Sequence, residues 1–132
     1  MEILIIIARI ALSLQFLRGG LRAARRPQRL VPKAQLLRLP APQLMVRLNG
    51  STMVLGAVLV ATGIFPRVGA ALVIATLIPV TLAGHQFWKE ETEAGRDTQL
   101  IQALKNTGLA GGMLMVAAIA DQPSIVSLGD LF

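Results

Sequence analysis

Residues 48–88 read LNGSTMVLGAVLVATGIFPRVGAALVIATLIPVTLAGHQFW, and with histidine counted as neutral Arg67 is the one charged side chain among them. The runs on either side of it, 48–66 and 68–88, are each close to the about twenty helical residues that cross a hydrocarbon core of about 30 Å. Two spans joined by a tight turn at Phe65, Pro66 and Arg67 follow from this pattern.

Downstream, 106–120 is a further uncharged run ending at Asp121. It reaches spanning length if Asp97 caps a helix over 98–120. Upstream, the apolar run 3–17 is interrupted by Arg9 and reaches a span if the helix continues through Arg18, Gly19 and Gly20 toward Pro27, with the last arginines snorkelling to headgroups. Glu2 at the extreme N-terminus and Arg9 within the apolar segment argue for a retained helix over a cleaved signal peptide. The expected fold is all-α, an integral membrane four-helix bundle forming a single transmembrane domain over 1–132, with helices at about 3–24, 46–65, 67–87 and 98–120. Between the first two lies a basic loop, 25–45, in which Pro27, Pro32, Pro40 and Pro42 prevent one long helix. A short amphipathic piece over 33–39 lying on the membrane surface is weakly signalled there.

Composition agrees: 132 residues suit one domain, and 54% hydrophobic against 15% charged residues is too apolar for an ordinary soluble domain of that size. The absence of cysteine removes disulfides, thiolate nucleophiles and cysteine-ligated metals, and a single histidine excludes a multi-histidine metal site. The net charge of +6 is unevenly spread, because Arg18, Arg22, Arg25, Arg26, Arg29, Lys33, Arg38 and Arg47 follow one another with no acidic residue between them. No aromatic side chain interleaves this stretch, so base stacking has no platform and nucleic acid is not the expected partner. A basic loop between spans instead suits anionic headgroups. The positive-inside rule then puts the long loops in the cytoplasm and both termini outside, in a multi-pass protein of the bacterial cell membrane.

Helices in lipid associate through close contact of small residues. Gly108 and Gly112, with Gly111 beside them, and Gly56 and Gly63 are the candidates, for packing within the chain or for a homodimer face. Pro79 is expected to kink its helix and free a carbonyl that Thr81 or a neighbouring helix satisfies.

The topology brings polar helix ends together on the long-loop side. Arg47, Asn49, His85, Lys105 and Asn106 form the expected layer, with Trp88 as interfacial anchor and Glu90, Glu91 and Glu93 near enough in sequence to pair with Arg47 or Lys105. Two readings stay open: a quinone, headgroup or proton-handling site around His85, or an interfacial belt that anchors helix ends. Arg9 either faces the bundle and finds a partner, or reaches water because the first helix is tilted. No nucleophile, base and orienting group can be assembled, and no glycine loop cradles phosphate, which points away from an enzyme and from an intrinsic cofactor.

Arg47-Leu48-Asn49-Gly50, Ala61-Thr62-Gly63 with Pro66-Arg67, PVTLAGHQFW from Pro79 to Trp88, and Leu104-Lys105-Asn106 leading into Gly108-Leu109 resemble the DoxX family of small bacterial membrane proteins, its actinobacterial branch especially. The resemblance covers 47 to about 120, with a weaker match at Arg9, Phe16, Gly19-Gly20 and Arg22 and no clear one over 25–44 or after Asp121. Where family members often carry His this chain has Gln102. The resemblance implies a four-helix integral membrane fold and an association with redox complexes, the family being named for a subunit linked to thiosulfate:quinone oxidation. It leads to the expectation of a non-catalytic membrane subunit that docks or stabilises a larger redox or respiratory complex, with membrane lipids and other membrane subunits as partners. The alternative expectation is a binder of quinone or lipid headgroup at the polar layer. An independent transporter ranks last, since four short helices enclose little pore.

Overall fold

The computed structural model describes residues 2–121. Four long helices run in sequence: α1 (Glu2–Arg25), α3 (Pro42–Thr62), α4 (Pro66–Gly84) and α5 (Glu93–Ala118), with a short α2 (Val31–Leu36) in the basic connection. Each long helix packs on the next, α1 on α3, α3 on α4 and α4 on α5, and α5 returns to touch α1 only lightly. The contacts run antiparallel, because Gly56 meets Gly69 while Asn49 reaches Thr76, and Thr81 meets Asn106 while Arg67 reaches Asp121.

Three helical stretches, Glu2–Arg25, Pro42–Thr62 and Pro66–Lys89, are long and apolar enough to cross a membrane. Over its described residues the chain is therefore an all-α, multi-pass membrane protein, with a correction to the expected four spans. The fourth long helix has 26 residues, but Glu93, Arg96, Asp97 and Lys105 in its first half keep it below the apolarity of the others. Its start is corrected as well: the cap is Thr92, whose hydroxyl accepts from Gly95 N at 3.0 Å, so the helix begins before the expected Asp97. Similarly α3 begins at Pro42, a residue whose fixed φ suits the first helical position and whose missing N–H costs nothing there.

The core is a file of Phe16, Met53, Ala57, Val60, Val73 and Met113 along the bundle axis. Outward, Ile7, Leu14, Leu55, Ile78 and Leu114 are exposed, a surface suited to lipid rather than water. Burial between apolar helices gains little in lipid, so close backbone approach carries the packing. It occurs at two crossings. A Cβ on Gly20 would lie 2.7 Å from the Gly50 carbonyl, fixing α1 against α3, and one on Gly56 would lie 2.8 Å from the Gly69 carbonyl, fixing α3 against α4.

Of the four glycines expected to line helix contacts, Gly56 does so at a tight crossing and Gly112 does so at ordinary distance, against Leu12 of α1. Gly63 instead takes a left-handed conformation (φ 75°) that ends α3, its N–H donating to Leu59 O at 3.0 Å. Gly108 and the neighbouring Gly111 face open space, with nothing within 4 Å of a built Cβ. Sequence reasoning missed Gly20, Gly50 and Gly69 as packing residues, although each sits in an apolar helix beside other small residues.

Candidate functional site

The long-loop end of the bundle contains a chamber of about 630 Å³. Its walls come from the last turns of α1, the first half of α3 and the second half of α4, and Asn106 of α5 lines it from one side. Its cover is α2, which overlaps the weakly signalled amphipathic piece over 33–39 but packs on the bundle. Ala34 of α2 is buried against Ala23 and Val46, with Leu30 and Leu39 packed on the same cluster, so the short helix is pinned across α1 and α3. The spacing of Leu30, Ala34 and Leu37, four and then three residues apart, is the one-faced helical pattern that signals such a cover.

Most of the lining is aliphatic or small, Val46, Met53, Leu77 and Val80 among it, while Asn49, Thr76, His85 and Asn106 supply polar groups. The chamber is unsealed, since Gln15, Gly19, Leu48 and Ala75 line it and are exposed. Two cations, Arg22 and Lys33, belong to the lining, and no acidic residue does.

Pro79 shapes the α4 wall. Its ring removes the N–H that would have reached the Ala75 carbonyl one turn earlier. Within that loosened turn the Asn49 amide makes a long contact to Thr76 O at 3.5 Å, and the Thr76 hydroxyl donates to Val73 O at 2.7 Å. Thr81, one of the two expected partners for the carbonyl freed by Pro79, the other being a neighbouring helix, accepts from Asn106 Nδ2 at 2.9 Å and so ties α4 to α5. At the end of α4, His85 Nδ1 lies 3.0 Å from Gln99 Oε1 of α5.

The expected polar layer is thus brought together in part. Asn49, His85 and Asn106 converge on one chamber, whereas Arg47 and Lys105 are exposed and outside its lining. Neither pairs with Glu90, Glu91 or Glu93, and the one ion pair among the described residues is Arg67 with Asp121, at 2.8 Å. Far from the chamber, Arg9 is 1% exposed and its Nη2 donates to Ile119 O at 3.1 Å, so it faces the bundle, the first of the two alternatives.

The model of the DoxX family matches residues 4–86. The match takes in the first helix and the basic connection, where the motif reading had found a weak match or none, and ends before α5. No curated protein and no solved structure matches the chain significantly.

Proposed function

The chain belongs to the DoxX family, and from that premise we propose that this small membrane protein is a non-catalytic binder that holds a membrane-soluble amphiphile, a quinone or a lipid, in the chamber beneath α2. The single observation that carries this reading is the cavity of about 630 Å³, apolar along most of its wall and polar at Asn49, His85 and Asn106. Its size lies within the range of about 300–1,000 Å³ typical of small-molecule sites, and the pattern of apolar wall and few polar groups is the usual one. The ligand is bound rather than built into the fold. In this reading the basic connection faces the cytoplasm of a bacterial cell, by the excess of Lys and Arg there.

The test is purification of the full chain from its native membrane in mild detergent, followed by extraction and mass spectrometry of the small molecules retained. A stoichiometric amphiphile is expected, lost in Gly19→Leu while helix content is kept. Gly19 lines the chamber, and a Cβ there makes ordinary contact with Met53 Sδ at 3.8 Å, so the longer side chain enters the cavity without disturbing a helix crossing. A chain that carries no amphiphile counts decisively against the proposal.

A second reading, a docking subunit of a larger redox or respiratory complex, is favoured by α5. Gly108 and Gly111 leave a shallow stripe there, open to close approach by a helix, between the exposed Leu104, Leu114 and Met115. Its test is co-purification of an oxidoreductase or respiratory subunit that is lost in Gly108→Phe and kept in Gly19→Leu.

A further inference from the structure

We propose that the chamber selects an amphiphile with an anionic headgroup, a phosphate- or carboxylate-bearing lipid, by seating the headgroup between Arg22 and Lys33; this inference rests on the binding reading above. Eight cations follow one another from Arg18 to Arg47, yet only these two line the cavity, and the lining contains no Asp or Glu. They come from different elements, Arg22 from the last turn of α1 and Lys33 from the covering helix α2.

Both cations are exposed, and Lys33 leans toward the end of α4. Its Nζ lies 3.7 Å from the position of a Cβ on Gly84, so the ammonium sits over the last turn of α4. That places an exposed positive charge at the mouth of an apolar chamber, within reach of a headgroup whose chain lies inside it. The α4 carbonyls beneath it supply only partial negative charge. A headgroup anion supplies a full one, and its chain fills the aliphatic wall below. A neutral quinone offers these cations carbonyl acceptors but no opposite charge, and a free anion leaves the wall unfilled, so the occupant that satisfies both halves is an anionic lipid.

The experiment uses the full chain in a mild non-ionic detergent. Retention of dioleoylphosphatidylglycerol is compared by native mass spectrometry with that of dioleoylphosphatidylcholine, of a short-chain ubiquinone, and of phosphatidylglycerol in the presence of excess glycerol phosphate. Phosphatidylglycerol is expected to be retained about thirtyfold over phosphatidylcholine, two cations each contributing about 1 kcal/mol at a headgroup. The preference is expected to vanish in the double variant Arg22→Gln/Lys33→Gln, to persist in Arg18→Gln/Arg29→Gln, which removes exposed cations outside the lining, and to be indifferent to glycerol phosphate. Equal retention of the two phospholipids, or of the quinone, with loss of all in Gly19→Leu overturns the headgroup inference and leaves the binding reading standing. Equal sensitivity to the Arg18/Arg29 variant overturns it in favour of diffuse attraction to the basic connection. Competition by glycerol phosphate alone overturns the lipid assignment. Retention of none of the probes overturns both readings together.

Discussion

Gly56 and Gly69 face one another backbone to backbone: a Cβ on Gly56 would lie 2.8 Å from the Gly69 carbonyl oxygen, and one on Gly69 would lie 2.6 Å from the Gly56 carbonyl oxygen. The obstruction on each side is main chain of a packed helix, which cannot turn aside as a long side chain can. Overpacking a tight core costs about 1–3 kcal/mol when side chains can adjust, so Gly56→Val and Gly69→Val are expected to cost about 3 kcal/mol or more. Gly108→Ala, at open space, is expected to change stability by less than about 1 kcal/mol, toward greater helix stability. Unfolding of the three variants in mixed micelles with a denaturing detergent, followed by circular dichroism, checks the contrast. Equal losses at Gly56 and Gly108 would falsify the crossing as the source of α3–α4 association.

The hydrogen bond from Asn106 Nδ2 to the Thr81 hydroxyl, at 2.9 Å, is the polar tie between α4 and α5 beside the chamber. Such interhelical bonds in membranes average about 0.6 kcal/mol and reach about 1.7 kcal/mol. A double-mutant cycle with Thr81→Val and Asn106→Leu is expected to give a coupling in that range, since each substitution removes one partner and keeps the volume close. Additive losses, with no coupling, would mean the two groups prefer other partners in the native bundle.

How much of this was legible in the sequence follows from the solvent. The uncharged runs flanking Arg67 fix two helices because length and apolarity alone identify a span. Convergence of Asn49, His85 and Asn106 followed from chain direction, since antiparallel helices must bring those ends to one side. Which way a side chain points was harder. A helix facing lipid is apolar on both faces, so periodicity says little about its rotation. Arg47 and Lys105 share the layer's depth yet point outward for that reason. The same ambiguity hid Gly50 and Gly69, whose outward or inward sense no polar stripe reveals. The chamber's cover was lost to the prolines around it: Pro32 sits inside α2, at a position that tolerates proline in a first turn, and was read as an interruption.

Arg9 and Arg67 both reach the end of α5, but from different solvents. Arg9, 1% exposed, donates to Ile119 O at 3.1 Å, while the Arg67–Asp121 pair has side chains 61% and 81% exposed. A hydrogen bond from a charged donor contributes about 1.5–3 kcal/mol, and an exposed ion pair contributes about 0–1 kcal/mol. Arg9→Leu is therefore expected to speed amide exchange at Ile119, whose N–H closes the last turn on Met115 O, by about tenfold or more. Arg67→Gln should change it by less than about fivefold. Hydrogen exchange read by mass spectrometry on the C-terminal peptide separates the two, and an equal response would reject the buried contact as the stronger tie.

His85 stands at the end of α4 with its Nδ1 3.0 Å from Gln99 Oε1, and a carbonyl oxygen can only accept. With Gln99 Oε1 as its partner, the neutral ring carries its proton on Nδ1 and leaves the Nε2 lone pair as the ring's acceptor. Since His85 also lines the chamber, Nε2 is the atom available to a hydroxyl or other donor on a bound molecule. Nitrogen chemical shifts of the single imidazole, recorded above its titration, are expected to show a protonated Nδ1 and an unprotonated Nε2. Gln99→Leu should relax the ring toward the opposite tautomer, because nothing then holds the Nδ1 proton. Adding an amphiphile that donates to the ring should shift the Nε2 resonance in the native chain more than in Gln99→Leu. An Nε2-protonated ring in the native chain would remove His85 as an acceptor and leave Asn49 and Asn106 as the polar contacts of the site.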